Sequence, residues 1–407
     1  MKIVVIGGGA AGFFSALAAK QSDPDAEVVL IEKTAQLLSK VRISGGGRCN
    51  VTHSCFDPRA LTANYPRGSR ELLGPFHRFQ PKDTIEWFEL RGVRLKTESD
   101  GRMFPTTDSS ETIIECLLED ARRCGVKIWT KCKLKGIEKV DDGFRLDVGA
   151  ETPLDADRLI MASGSSRQGW EFARQLGHEI VDPVPSLFTF NVPEFPLVSL
   201  AGVSVNPAKV AIMETKWAQT GPLLITHWGF SGPAALKLSA FGARTLAERQ
   251  YEVDLLIDWL PGVSIQRLQE QFEKERRVNP NKQLKQAKLV QLPKKLWGAL
   301  LNRAEINEQT AFAGLSKGKL SRLLEVIKKD RYGVKGKTTN KEEFVTCGGV
   351  KLSEVDFKTM ESKKCEGLYF CGEILDVDGI TGGFNFQNAW TTGWIAGCSA
   401  SSNRDEL

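Results

Sequence analysis

Two glycine clusters lie close together near the N-terminus, GGGAAG at 7–12 and GGGRCN at 45–50. In the first, Gly7, Gly9 and Gly12 have the spacing G-x-G-x-x-G, with Ala10 and Ala11 between them and Glu32 20 residues beyond Gly12. The first glycine of such a set permits a tight turn, the second lets backbone approach a pyrophosphate, and the third lets a helix pack closely on its strand. The helix N-terminus that follows favours phosphate charge. An acid at the position of Glu32, here followed by Lys33, accepts from a ribose hydroxyl. The second cluster, Gly45, Gly46 and Gly47, is preceded by Lys40, Arg42 and Ser44 and followed by Arg48, Cys49 and Asn50. It does not follow a strand and open a helix at that spacing, so it is not a second nucleotide site. It reads instead as backbone packed against the far half of one long cofactor, which points from NAD toward FAD. Arg48 has three readings: stabilising an anionic flavin, binding a substrate carboxylate, or pairing with a local acid. Cys49 has no C-x-x-C partner and reads as a small packing residue.

Other stretches hold groups that could meet a ligand. His227, in THWGFSGP (226–233), is an imidazole suited to proton transfer near neutral pH; a structural hydrogen bond is the plainer reading. Trp228 and Phe230 beside it either wall an apolar pocket or belong to the core. RLIMASG (158–164) is a buried strand ending in Ala162, Ser163 and Gly164, small residues where backbone must pass close to something. GLYFCGE (367–373) is a second buried strand, ending in Gly372 and Glu373. The loop DVDGITGG (376–383) then leads through Gly383, Phe384 and Asn385 into a small-residue helix from about Phe386 and Gln387 to 397. Asp376 and Asp378 in that loop serve turn geometry, and no metal is expected.

The elements that must position these groups follow from periodicity. Lys2–Ile6 is a short, apolar, β-branched strand, 13–21 a helix, 22–27 a loop, and EVVLIEK (27–33) a second buried strand. This strand–turn–helix–strand order gives the glycine spacing its specificity. Residues 3–19 are uncharged and could pass for a signal peptide, but the glycine trio breaks a hydrophobic helix and fits a tight turn. Residues 124–166 alternate strand-like runs with turns. Prolines at 183, 185, 193, 196 and 207 then punctuate short β-like runs through about 260, a small antiparallel unit. Over 262–331 apolar residues recur at helical spacing, as in Ile265, Leu268 and Phe272, or Leu320, Leu323, Leu324 and Ile327.

Composition sets outer bounds. A chain of 407 residues, 41% hydrophobic and 26% charged, is an ordinary globular protein with two or three domains and a large core. Residues 261–340 carry 18 Lys and Arg against 7 Asp and Glu, a net +11, so the rest of the chain sums to −6. That block is a solvated helical surface or, in the sharper reading, meets nucleic acid. Nine scattered cysteines and four histidines argue against a disulfide framework and a zinc site, and favour the reducing cytoplasm. GLSKGKL (314–320) and GSSRQG (164–169) lack fingerprint spacing, so a dedicated NAD(P)H domain is not expected.

Taken together, GGGAAG with Glu32, KVRISGGGRCNVT (40–52), THWGFSGPAAL (226–236) and the long stretch 346–397 resemble the bacterial aminoacetone-oxidase-like flavoproteins of the YhiN/BaiN type, within the two-dinucleotide-binding-domain superfamily. His53 departs from the asparagine common after CNVT in that family. The resemblance implies an α/β fold: a Rossmann-like FAD-binding domain built from both chain ends (1–186 and 344–407), interrupted by a small β unit (187–260) and a basic helical subdomain (261–343). It implies FAD contacts along the glycine clusters, with the strand near Leu134 bordering the adenine and Gly372 and Glu373 by the ribityl–phosphate region. The helix after Gly383 would aim its positive end at the flavin pyrimidine edge, where it stabilises reduced-flavin charge. His227 would face the flavin from the insert as a substrate-side group, with Arg48 as the second candidate. The implied activity is an FAD-dependent oxidoreductase acting on a small organic substrate at the flavin/insert interface. It would either oxidise an amine or reduce an unsaturated compound with NAD(P)H as a transient reductant; lack of a second nucleotide domain favours the amine. The alternative is a tRNA- or RNA-associated flavoprotein whose basic insert docks nucleic acid. No membrane partner is expected, and nucleic acid is the less favoured one.

Overall fold

In a computed structural model of the chain, which describes residues 1–287, 291–338 and 345–402, the run KIVVI forms strand β1 (Lys2–Ile6). It pairs in parallel with β2 (Glu27–Ile31) on one side and β4 (Arg158–Met161) on the other. Strand β3 (Lys127–Trp129) extends the sheet beyond β2, and β5 (Leu368–Phe370) extends it beyond β4. Two short antiparallel strands, Val355–Asp356 and Glu361–Ser362, complete the edge next to β5. Parallel strands covered on both faces need continuous apolar runs, which is why KIVVI, EVVLI and RLIM read as strands without alternation.

Helix α1 (Ala10–Ser22) crosses from β1 to β2; α2 (Ser39–Gly47) and α3 (Ser110–Arg123) lie between β2 and β3; α4 (Phe384–Ser401) follows β5. Neither α1 nor α4 has a clean apolar stripe, because both are buried nearly all round. They pack on each other at glycines. A Cβ on Gly393 would stand 2.7 Å from Ala11 O, and one on Gly397 would stand 2.2 Å from Ser15 O. The Phe14 ring lies 4.6 Å from Trp390 and 4.5 Å from Trp87. Both chain ends therefore build one unit, Met1–Val184 with Lys341–Leu407, as the α/β expectation required.

Pro185–Asn340 forms the second unit. Its seven-stranded sheet runs in the order Asp330–Lys335, Glu252–Asp258, Ser204–Ile212, Ala218–Ile225, Gly229–Ser231, Thr189–Asn191, Lys337–Thr338. Phe188, Phe190, Phe230, Trp259 and helix Gly232–Phe241 fill its core. Helices Ile265–Val278, Lys294–Arg303 and Lys317–Lys329 enclose a separate cluster around Phe272, Trp297, Phe312 and Leu323. Strands 330–335 and 337–338 return to the sheet after these helices, so the expected division at 260/261 does not separate two units. DRYGVK alternates strictly in burial, a period-two signal that the helical spacing just upstream obscures. The expected boundary at 343/344 falls outside the described residues. Among the described residues, no helix is long and apolar enough to cross a membrane.

Candidate functional site

The first glycine turn is set where β1 ends. Gly7 has φ +114°, and a Cβ there would stand 2.4 Å from Ala162 O; a Cβ on Gly12 would stand 1.9 Å from Gly7 O. These two positions therefore bring β1, α1 and the end of β4 together as only glycine can. A Cβ on Gly9 would meet nothing within 4 Å. Gly9 caps α1 without a side chain, so the first N–H groups of the helix have no side-chain acceptor and offer positive partial charge to an anion. Ala10 is half-buried and Ala11 buried behind them. At the end of β2, Glu32 accepts from Gly8 N–H (2.9 Å), Thr34 N–H (2.8 Å) and Thr34 Oγ1 (2.9 Å), which fixes its carboxylate beside the turn. Lys33 is exposed.

The ends of β4 and β5 close on the same place. Gly372 (φ +74°) is backed by Ala11, whose Cβ a new methyl would approach to 2.7 Å. Gly164 (φ +59°) faces Glu373 Oε2 at 3.8 Å by the same construction. Glu373 pairs with Lys40, and its other oxygen accepts from Thr346 N–H (3.2 Å). Ser163 Oγ is buried with no hydrogen-bond partner among the described residues, although buried hydroxyls normally have one.

The second glycine run ends α2 rather than starting a helix. Helical geometry is lost at Ser44 (ψ 147°), and Gly45, Gly46 and Gly47 follow at φ +59°, +69° and +86°. Cβ atoms on Gly46 and Gly47 would meet nothing within 4 Å, which leaves backbone bare to a ligand. Ser44 Oγ donates to Val41 O (2.9 Å), and Arg42 pairs with Glu111. Arg48 donates to Glu98 (2.7 Å), stands 3.5 Å from Asp108, and lies 4.0 Å over the Phe104 ring. The Glu98 hydrogen bond raises its pKa further. Of the three readings of Arg48, the geometry engages pairing with local acids. Cys49 is fully buried, and burial pushes its thiol up to about 12. Asn50 accepts from Gly383 N–H (2.9 Å) and donates to Thr52 O (3.1 Å), which carries the loop directly to the start of α4.

That helix starts at Phe384, two residues before the expected start, with Gly383 as N-cap at φ +91°. A Cβ on Gly383 would stand 2.5 Å from Thr52 O. Asn385 both donates to Gly379 O (2.9 Å) and accepts from Gly379 N–H (2.8 Å), closing the preceding loop. Gln387 accepts from Thr52 (2.5 Å) and Thr84 (3.0 Å) and donates to Thr391 (3.0 Å), fully buried. The expected cofactor contact of Gln387 therefore does not come from its side chain, whose amide is committed to the core. Phe384 O accepts from Tyr65 Oη (2.6 Å), and the Phe386 ring stacks on Trp390 at 5.7 Å. Asn388 Oδ1, which the sequence reading missed, is buried without a partner among the described residues. Asp378 forms a buried pair with Arg67, a bridge between the loop and residues over 300 positions away. Leu134 is buried in the irregular connection that leads into a nearby strand. Its O accepts from Gln168 (2.8 Å), and β-type pairing resumes only at Gly136–Val140.

In the second unit, His227 and Trp228 occupy an exposed turn between strands 218–225 and 229–231; Trp228 is 65% exposed, whereas Phe230 is core. Thr226 Oγ1 holds the turn by accepting from Trp228 N–H (3.3 Å) and Gly229 N–H (3.1 Å). Among the described residues no cluster of His, Cys, Asp or Glu could hold a metal.

An uncapped helix N-terminus, bare backbone at Gly9, Gly46 and Gly47, an anchored Glu32 and the unpartnered Ser163 hydroxyl fit a long dinucleotide such as FAD. The family model "HI0933-like protein Rossmann domain" matches residues 1–399. The chain belongs to this family. The 3-dehydro-bile acid delta(4,6)-reductase of Clostridium scindens is 31% identical over 411 residues, 98% of this chain and 99% of the relative. The ribosomal RNA dihydrouridine synthase of Escherichia coli is 30% identical, covering 96% of each. In fold the chain is similar to the 3-ketosteroid-Δ4-(5α)-dehydrogenase of Rhodococcus jostii (TM-score 0.52, 13% identity, 98% of this chain and 96% of that one). As a member of the HI0933-like family, the protein is an FAD-dependent oxidoreductase with a Rossmann-type cofactor domain.

Proposed function

We propose that this protein reduces a carbon–carbon double bond conjugated to a carbonyl group. One observation carries this reading: two relatives matched over nearly the whole chain, one named for reducing a 3-dehydro bile acid at Δ4,6 and one for making dihydrouridine in ribosomal RNA, share that reaction type. Their substrates differ in size and polarity; what they have in common is an electron-poor alkene. This favours reduction over the amine oxidation left open by the sequence.

The chemistry FAD supplies when bound is hydride transfer. The chain's own residues would do the rest. Gly7, Gly9 and Gly12 with the α1 N-terminus would hold the pyrophosphate, Glu32 the ribose, and the Gly45–Gly47 backbone and the start of α4 the distal half. Saturating the alkene also takes one proton, and we assign His227, exposed in its turn, as the group that delivers it from the substrate side. NAD(P)H is the external reductant we assign.

A second reading places the reduced base in RNA. The +11 balance of residues 261–340 favours it, as do exposed lysines Lys294, Lys295, Lys317 and Lys319 in the first turns of two helices. Phosphate contacts would make such binding fall steeply with salt.

The test is anaerobic. The purified protein should bleach with NADH or NADPH and regain its flavin colour on addition of a 3-oxo-Δ4,6 steroid or of ribosomal RNA lacking dihydrouridine. Reoxidation by RNA alone, lost at high salt, selects the second reading. Bleaching by small amines, with no reoxidation by any conjugated carbonyl compound, would overturn both.

A further inference from the structure

The helical cluster of the second unit is closed at one end by a ribbon of chain that gathers cations. Residues 276–285, leaving helix Ile265–Val278, run antiparallel to residues 308–315, which lead into helix Lys317–Lys329. The Arg276 guanidinium donates to Leu315 O. Ala313 N–H donates to Pro280 O (2.9 Å), Phe312 N–H to Lys282 O (3.0 Å) and Leu284 N–H to Thr310 O (2.9 Å). At the far end Lys285 N–H donates to Glu308 O (3.1 Å), and Trp297 Nε1 donates to Leu284 O (2.9 Å), which ties on the start of helix Lys294–Arg303. Nine residue steps reach at most about 30 Å, so both ends of the ribbon lie within the span of one macromolecular partner.

The charge along this ribbon is unbalanced. Residues 276–285, 291–300 and 308–319 hold eight Lys and Arg against one acid, Glu308. Lys282 is taken by Glu275 (3.5 Å). Two groups of exposed cations are left: Arg277, Lys317 and Lys319 at one end, Lys285, Lys294 and Lys295 at the other. Among the described residues none of these six side chains meets an acid. Four of them stand in the first turns of helices, where the macrodipole opposes a cation. Nothing in the packing offsets that cost, and a local preference broken without a structural gain marks a functional surface.

The aromatic side chains of the cluster, Phe272, Trp297 and Phe312, are buried. The ribbon therefore lacks the aromatic anchors of a protein interface and the exposed rings on which unpaired bases stack. Exposed Asn281, Gln286 and Ser316 lie among the cations, and amides and hydroxyls beside Lys and Arg are the groups that contact phosphate and sugar oxygens. We propose that this ribbon is a docking surface for the phosphate backbone of duplex RNA, which it holds by charge and without reading sequence. The identity of the polyanion rests on the RNA reading above; the surface extends that reading from a charge balance to named residues.

The test measures binding of the FAD-loaded protein to a short RNA duplex between about 50 and 200 mM salt. The variants Lys294→Glu/Lys295→Glu and Lys317→Glu/Lys319→Glu should each bind on the order of tenfold more weakly, with a salt slope shallower by about 1–2. Lys82→Glu/Lys358→Glu makes the same change in net charge on exposed lysines of the first unit and should bind as wild type does. Acids suit the first turn of a helix, so both ribbon variants should unfold at or above the wild-type temperature, with flavin content unchanged. That separates lost docking from lost fold. Full binding by both ribbon variants, or an equal loss in the first-unit control, overturns the inference. Tighter binding of the single strand than of the duplex also overturns it, because the bases would then make the contact. Duplex binding that the ribbon variants lose, without reoxidation of reduced flavin by dihydrouridine-free ribosomal RNA, upholds the docking surface and removes only the reading of RNA as the reduced substrate.

Discussion

At the scale of single residues, several charged groups are held by partners far along the chain. Arg48 with Glu98, Lys40 with Glu373 and Arg67 with Asp378 are examples. Periodicity cannot reveal such pairs, because their partners are set by topology and not by spacing. Arg48 is the instructive case: a guanidinium behind a glycine run looks like a ligand contact, yet its hydrogen bonds and its ring contact lie within the protein. A similar cluster outside the cofactor site makes stability depend on pH. His178 is buried between Glu354 (Nδ1, 3.2 Å) and Ser362 (Nε2, 2.8 Å). Burial, opposed by Glu354, lowers its pKa below the ordinary 6.5. The unfolded chain therefore takes up a proton that the folded chain refuses, and stability present above pH 6.5 is lost as pH falls below it. Glu354 is itself held below its ordinary 4.5, so its contribution has the same sign but is lost at still lower pH. Denaturant midpoints at pH 7.5 and 5.5 should differ less in His178→Gln than in wild type, while the loss below pH 4.5 persists. An equal drop in both proteins between pH 7.5 and 5.5 would remove His178 from this account.

At the scale of elements, the pair α1 and α4 is what brings the two ends of the chain to one cofactor. Two glycines allow it, and both stand against backbone atoms that cannot rotate away. Gly397→Ala would place a methyl 2.2 Å from Ser15 O, which forces α1 off its seat at a cost of about 1–3 kcal/mol. Since we assign the N-terminus of α1 to the phosphates, FAD should also be retained less well, as read by the flavin-to-protein absorbance ratio after gel filtration. Gly318 is the control. It opens helix Lys317–Lys329 with nothing within 4 Å of its Cβ position, and Gly318→Ala should stabilise by roughly 0.5–1 kcal/mol with flavin content unchanged. If Gly397→Ala retains full flavin, the packing argument fails. The first βαβ unit and the last helix were legible because local spacing alone defines them. The connection through Leu134 was not: exposed lysines alternating with Cys132 and buried Leu134 imitate a strand, and only hydrogen bonding separates the two. Strand 330–335 was missed for the converse reason, a short alternating run at the end of a long helical pattern.

At the scale of the molecule, the residues we assign to the cofactor and those we assign to the substrate lie on different units. The glycine turns, Glu32 and the start of α4 belong to Met1–Val184 with Lys341–Leu407, whereas His227, like the exposed Trp228 beside it, belongs to Pro185–Asn340. Each unit has its own core, and the second has two apolar clusters, one under the sheet and one among the helices. The basic block of the sequence maps onto that helical cluster, which is why composition alone made it look like a separate domain. A ligand bound by only one unit stabilises that unit by mass action, by about 2.7 kcal/mol at a concentration 100 times its dissociation constant. Calorimetry of the apoprotein should therefore resolve two unfolding transitions, and FAD should raise the temperature of one while leaving the other within a degree. Trp228→Ala should leave the FAD-sensitive transition in place, because the indole is no part of the unit that binds the dinucleotide. A single transition that FAD moves as a whole would mean that the two units unfold together, and that the loaded cofactor domain supports the substrate-side unit as well as itself.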